Sequence, residues 1–277
     1  MIMKIIDVSE HQGKINWNKV KASGINAAII RAGYGKGNVD ERFIENIKAA
    51  INAGIISIGV YWFSYAYTVD MAKREAQYCN DLIKPYKDKL NLGVYFDWEY
   101  DSMNYAKKRG VYPNKNLITN MNIYFCDKIR ELGYKAGYYL NLDYQQNFID
   151  VSRLKEFYKW FARYVSTEQR DCYIWQYSAN GSVDGISGPV DMNELIGKPV
   201  EHNNVNNSNK EEYNMPLIKR GSSGKAVKIW QIIVGTTVDG IFGTNTEEST
   251  KRFQERNNLV VDGIVGPITW KAGLDSI

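Results

Sequence analysis

Two carboxylates, Asp97 and Glu99, stand two residues apart at the end of the run L-G-V-Y-F-D-W-E-Y, residues 92–100. The run is apolar and aromatic until the acids begin, the pattern of a strand buried on both faces. Side chains at i and i+2 of a strand share a face, so both acids are expected to project together where the strand leaves the core. Acids set against so much apolar surface hold their protons above the ordinary carboxylate range, which suits acid–base chemistry.

Other chemistries lack their residues. The chain has 2 His, His11 and His202, too few for a zinc hydrolase, and its cysteines are scattered. A Ser-His or Cys-His nucleophile would have to recruit His11 alone, and no phosphate-binding glycine loop follows a strand. Carboxylates remain, and hydrolysis of a glycosidic bond needs nothing else: no metal and no cofactor. A net charge of +4 without a basic stripe argues against nucleic acid and is compatible with an anionic cell wall. The 20 Tyr and 7 Trp suit stacking on sugar rings, although a tyrosine-rich core accounts for most of them.

The acids need a frame, and the pattern around them supplies one. Strands are expected at residues 3–9, 26–32, 55–63, 92–99, 134–140, 159–164, 172–177 and 188–192. Helices are expected at 16–23, 40–53, 70–83, 116–132 and 150–156, several closed by Gly. Alternation of this kind predicts an α/β fold, an irregular (β/α) TIM-like barrel, hairpin-like at its end where too little chain is left for crossover helices. Chemistry in such barrels sits at the C-terminal ends of the strands. Asp7, Arg31, Tyr61, Asp97, Glu99, Tyr138, Trp175 and Asp191 all fall at or near expected strand ends.

The barrel is expected over residues 1–196, an Asn-rich linker over 197–216 and a small all-α module over 217–277. The module carries a repeat, V-D-G-I-F-G-T-N-T at Val238 and V-D-G-I-V-G-P-I-T at Val261, 23 residues apart. Trp230 and Trp270 read as its core. The three cysteines, Cys79, Cys126 and Cys172, read as buried free thiols, which suggests synthesis in a reducing compartment. No signal peptide and no window of membrane-spanning length is seen, so the expectation is cytoplasmic synthesis, no membrane insertion and action on the wall after release.

In its signposts the chain resembles the Chalaropsis-type lysozymes, glycoside hydrolase family 25. They are D-V-S-E-H-Q at Asp7, I-I-R-A-G-Y-G at Ile29, G-V-Y-W-F at Gly59, D-W-E at Asp97, W-Q-Y at Trp175 and V-D-M-N at Val190. The resemblance implies an irregular barrel that cleaves the β-1,4 bond between N-acetylmuramic acid and N-acetylglucosamine in peptidoglycan. It places Glu99 as general acid and Asp97, Asp7 and Asp191 in the other acidic positions. Trp62 stands where many members have His, a change expected to alter sugar contacts. The C-terminal segment resembles the type 1 peptidoglycan-binding domain through L-I-K-R-G-S-S-G at Leu217, the Trp230-Gln231 pair and the two D-G-I loops, so peptidoglycan is the expected partner.

Two roles for Asp97 stay open: orienting the substrate's 2-acetamido group for attack on the anomeric carbon, or steering water. The i, i+2 spacing of about 6.6–6.8 Å lies near that of inverting enzymes, but side chains converge or splay by more than the margin. Asp7 and Asp191 either raise the pKa of Glu99 or contact substrate. Tyr61, Trp62, Tyr138, Trp175 and Gln176 are candidate subsite walls, and Arg31 is expected to pair with one of the acids. The modular order suggests a bacteriophage endolysin, with a host autolysin as its rival. A chitinase-like enzyme would have another Asp at position 95, where Tyr95 stands, and a dead wall-binding barrel would not keep four acids. Finally, Lys210, Glu211 and Glu212 can be encoded AAG-GAG-GAA, which contains a ribosome-binding sequence, just ahead of Met215. Internal initiation there would make a free wall-binding fragment able to associate with the full chain; the alternative is a charged linker that happens to contain Met.

Overall fold

The computed structural model describes residues 3–197 and 215–274. The chain divides into two compact units, Met1–Glu201 and His202–Ile277. Most of the expected linker, residues 198–214, lies outside the described residues.

The first unit carries strands β1 (Lys4–Val8), β2 (Ala27–Tyr34), β3 (Asn38–Val39), β4 (Ser57–Phe63), β5 (Gly93–Asp97), β6 (Ala136–Asn141), β7 (Tyr158–Ala162), β8 (Ile174–Gly181) and β9 (Val190–Leu195). Its helices are α1 (Trp17–Ala22), α2 (Phe43–Asn52), α3 (Val69–Ile83), α4 (Tyr100–Lys107) and α5 (Lys115–Glu131). The strands run around the barrel in the order β1, β2, β4, β5, β6, β7, β8, β9, and β9 pairs back with β1 to close it. Neighbours from β1 to β8 are parallel, while β9 is antiparallel to both of its neighbours. The short β3 folds back on β2 as a hairpin. The expected hairpin-like ending is present at β8–β9. β7 and β8 are parallel although the segment between them contains no helix.

Helix boundaries follow ordinary capping. Thr68 accepts from Met71 N (3.2 Å) to open α3, and Asn114 accepts from Leu117 N (2.8 Å) to open α5. The chain leaves α3 through a turn containing Pro85, which cannot continue a helix. Segment 150–156 is a single 3₁₀ turn, Val151–Leu154, too short to bury a helical face. Helix α4 was not expected, because it starts on the last residue of the catalytic-looking run and has a mixed face.

Strand alternation sorts the core into two layers. Ile6, Ile30, Val60, Phe96, Tyr138 and Phe161 face the helices, whereas Ile5, Ile29, Tyr95, Tyr139, Trp160 and Ile174 fill the barrel. Trp160 is the hub of the interior, with Tyr139, Tyr95 and Tyr61 rings 4.8, 5.5 and 5.8 Å away at steep angles. Gly137 makes room for this: a Cβ there would lie 2.5 Å from the Tyr95 ring.

The second unit is three helices, α6 (Lys225–Val234), α7 (Thr244–Arg256) and α8 (Pro267–Leu274), around Trp230, Trp270, Phe253, Phe242 and Val265. The sequence repeat has a structural cause. Gln231 accepts from Gly240 N (2.8 Å) and donates to Asp239 (2.7 Å) and to Ile241 O (3.0 Å). One repeat later Gln254 accepts from Gly263 N (2.8 Å) and donates to Asp262 (2.8 Å) and to Ile264 O (2.9 Å). Each buried glutamine thus reads and fixes one D-G-I loop. Cys79 and Cys126 are buried free thiols, and Cys172 is half-buried and free.

Candidate active site

Four acids from three stretches of the chain meet at the C-terminal mouth of the parallel strands. Asp7 lies at the end of β1 and stands opposite Asp191 in the antiparallel β1–β9 register. Asp97 ends β5, and Glu99 follows as the residue that opens α4. The acids pair off, Asp7 beside Asp191 and Asp97 beside Glu99, close enough for each to act on its partner's titration. Two buried acids set this close do not both ionise readily, so each pair holds a proton more tightly than free carboxylates would.

Burial is the first cause of every shift. Asp7 and Asp97, each 5% exposed, are held well above the ordinary carboxylate range by burial, then by the charge of Asp191 and of Glu99 respectively. Glu99 is raised by burial and by the charges of Asp101 and Asp191, and lowered by its bond to Asp97; Asp191 is raised by burial and lowered by its bond to Asp7. In each pair one member, Asp7 or Asp97, is the deeper, and the other, Asp191 or Glu99, is the more open.

The acids are positioned by groups that the sequence reading did not name, Asn193, Tyr164, Ser64 and Ser102 among them, and by Gln176, which it named in another role. Asn193 Nδ2 donates to Asp7 Oδ2 (2.7 Å), and Trp160 Nε1 donates to Asn193 Oδ1 (2.7 Å), which fixes the amide the right way round. Gln176 Nε2 donates to the same Asp7 oxygen (3.0 Å), and its own carbonyl oxygen accepts from Tyr139 Oη (3.1 Å) and Tyr164 Oη (2.9 Å). On the other side Ser64 N donates to Asp97 O (2.7 Å), Ser102 Oγ donates to Ser64 O (2.6 Å), and Glu99 N donates to Ser102 Oγ (3.0 Å). This loop of bonds pins the backbone between the two working acids.

Comparison with known proteins agrees with this frame. The model of the glycosyl hydrolases family 25 matches residues 6–186, more than half of the chain.

The chain belongs to glycosyl hydrolases family 25.

As a member it is a glycoside hydrolase of the muramidase class, and a putative peptidoglycan binding domain matches residues 226–272. The autolytic lysozyme of Clostridium acetobutylicum is 28% identical over 92% of this chain and 80% of its own length. The modular autolysin LytC of Streptococcus pneumoniae is 30% identical with a TM-score of 0.59; the match covers 70% of this chain and 46% of LytC. The CTP1L endolysin, at 22% identity and a TM-score of 0.57 over 69% of this chain and 66% of its own, shares the fold.

Within this family 25 barrel the expected subsite residues divide. Tyr61 lines the interior, half-exposed, close enough to feel the charges of Asp7, Arg31 and Asp97. Arg31 reaches the mouth but pairs with Asp40 (2.7 Å) and Glu10 (2.8 Å), not with Asp7, Asp97, Glu99 or Asp191. Gln176 is buried as a ligand of Asp7, so it positions an acid instead of walling a subsite. Three residues must be corrected. Trp62 is fully buried in the layer facing the helices and cannot touch sugar from there. Tyr138 lies in that same layer, and its neighbour Tyr139 takes the inward position. Trp175 alternates away from Gln176, pairing across β7 with Phe161 of the outer layer and donating to Arg163 O (2.8 Å). In all three cases a neighbour in the motif carries the inward side chain. Counting in twos from Asp97 to Tyr95, and from Asp191 to Asn193, would have found the inward residues; nothing in the sequence pointed to Tyr164.

Proposed function

We propose that this chain cleaves the β-1,4 bond between N-acetylmuramic acid and N-acetylglucosamine in bacterial peptidoglycan, with the Asp97–Glu99 pair as its proton source. The observation that carries the reading is the placement of two acids at the barrel mouth, Asp97 at the end of β5 and Glu99 at the opening of α4, each held above its ordinary range by burial. Glu99, the more open member, passes the shared proton to the glycosidic oxygen as the bond to the leaving sugar breaks. Asp97 is left as a carboxylate against the reacting centre, where it orients either the 2-acetamido group or the attacking water. Asp7 and Asp191 add negative potential that holds the proton on the pair and stabilises positive charge developing on the sugar ring. The test is release of new reducing ends from purified walls. Glu99→Gln is expected to lower it by at least a thousandfold; a variant that still clears walls refutes the acid assignment.

The division into a barrel over residues 1–196, a linker over 197–216 and a wall-binding module over 217–277 belongs to the same proposal, as does the endolysin setting. So does internal initiation at Met215. Met215 packs against the module core, and Trp270 Nε1 donates to Pro216 O (2.9 Å), so a fragment starting there would contain every residue the module's packing uses. The CTP1L endolysin is described as regulated by a secondary translation product; for this chain the support is a Lys210-Glu211-Glu212 run that can be encoded with a ribosome-binding sequence, and its own module boundary. Intact-mass analysis of the expressed product is expected to show the Met215 fragment and to lose it in Met215→Ile.

A further inference from the structure

Beside the acids lies a second concavity that the reaction does not use. It has a volume of about 700 Å³ and is walled by the β2–β3 hairpin, the loop after β4 and helix α4. Its floor is aromatic: Tyr65 lies 4.7 Å from Tyr105 and edge-on to Tyr34 at 6.4 Å. Gly35, with φ +54°, lets the hairpin close on it, since a Cβ there would sit 3.1 Å from the Tyr65 ring. Its rim is basic. Lys36, Lys107 and Lys108 are exposed, and none forms an ion pair with a described residue; the rim's one acid is Asp101. Asn38 and Asn104 add amide donors and acceptors.

The concavity is continuous with the catalytic elements. Asp101 lies two residues beyond Glu99 and its charge is felt there, and Tyr65 follows Ser64, the residue bonded to both Asp97 and Ser102. Whatever fills it lies against the same loop and helix that carry Ser64 and follow Glu99. A muramic acid residue in peptidoglycan carries a short peptide on its lactyl group, and a chain so branched has to leave the cleft sideways. Peptide carboxylates match the lysine rim, backbone amides match the two asparagines, and small apolar side chains match the tyrosine floor.

We propose that this tyrosine- and lysine-lined groove binds the anionic peptide stem of the substrate. The inference rests on the muramidase reading for the identity of that substrate. A phosphate-rich wall polymer would answer to the lysines as well, but the tyrosine floor offers it nothing.

The test is binding of two monosaccharide ligands that contain no cleavable bond, so it is independent of turnover. N-acetylmuramic acid and N-acetylmuramyl tetrapeptide are titrated into the full chain and followed by NMR. The peptide is expected to raise affinity about tenfold at low ionic strength, with shifts at Tyr65 and Tyr105, and the gain is expected to shrink as salt is added. In the triple variant Lys36→Ala, Lys107→Ala, Lys108→Ala the peptide-bearing ligand is expected to bind no better than the bare sugar. Equal affinity of the two ligands for the unaltered chain, or an undiminished peptide gain in the variant, overturns the proposal. So does competition by a polyphosphate polymer at Tyr65 and Tyr105 without any response there to peptide. Absence of reducing-end release by the unaltered chain would instead refute the muramidase reading, and the titration separates the two failures.

Discussion

Glu75 offers the sharpest calculation. It lies on α3, 2% exposed, with one oxygen accepting from Tyr65 N (3.2 Å) and the other without a partner among the described residues. Burial pushes its pKa from 4.5 to about 8. Between those values the folded chain binds one more proton than the unfolded chain at this site, so stability falls as pH rises, by about 1.4 kcal/mol per pH unit. The contribution is intact below the unfolded value and lost as pH passes through the folded one. At pH 7 the accumulated penalty is about 3 kcal/mol. Glu75→Gln keeps the acceptor for Tyr65 N and removes the titration. Urea unfolding of the barrel is expected to show the variant equal to the unaltered chain near pH 4.5 and about 2–3 kcal/mol more stable at pH 7. Taking the difference between the two chains cancels the slopes contributed by Asp7, Asp97, Glu99 and Asp191. A difference that does not change with pH would refute the idea that Glu75 is buried as a protonated acid.

Asn193→Leu removes a hydrogen bond from Asp7 and orphans the Trp160 N–H. It is expected to cost about 2–4 kcal/mol in thermal unfolding. It should also raise the Asp7 pKa and, by weakening the negative field on Asp97, move the alkaline limb of the activity profile to lower pH. Gly137→Ala drives a methyl into Tyr95 and the Tyr158 carbonyl, and is expected to destabilise the barrel by about 3 kcal/mol or more, read by circular dichroism. Gln254→Ala frees the Asp262 loop, leaves Gly263 N unpaired and takes one of its donors from Ile264 O; loss of wall pelleting by the chain at 37 °C is expected.

Order and type of the barrel strands were legible because buried parallel strands read as apolar runs and their helices as amphipathic segments between glycines. The acids were legible because Asp97 and Glu99 break an apolar run, and Asp7 and Asp191 fall at strand ends. What failed was facing. Tyr138-Tyr139, Tyr61-Trp62 and Trp175-Gln176 each put two large residues side by side, and a strand buried on both faces gives no polar alternation to say which one points inward. Register supplies the answer, and register is set by pairing between distant segments. The positioning of Asp7 was not legible for the same reason: Asn193, which went unnamed, and Gln176, expected as a subsite wall, reach it from more than 160 positions away in sequence. The D-G-I repeat was legible as a repeat, but its reason, a glutamine buried beneath each loop, needed coordinates.

The central claim is that Asp97 and Glu99 share a proton which the barrel mouth keeps from ordinary titration. Carbon-13 NMR of labelled carboxyl groups, followed from pH 3 to pH 9 in the full chain, reads it directly. Two coupled resonances, with at least one inflection well above the usual carboxylate range and both altered in Asp97→Asn, are the expected result. Independent titration of the two groups near pH 4 would contradict it.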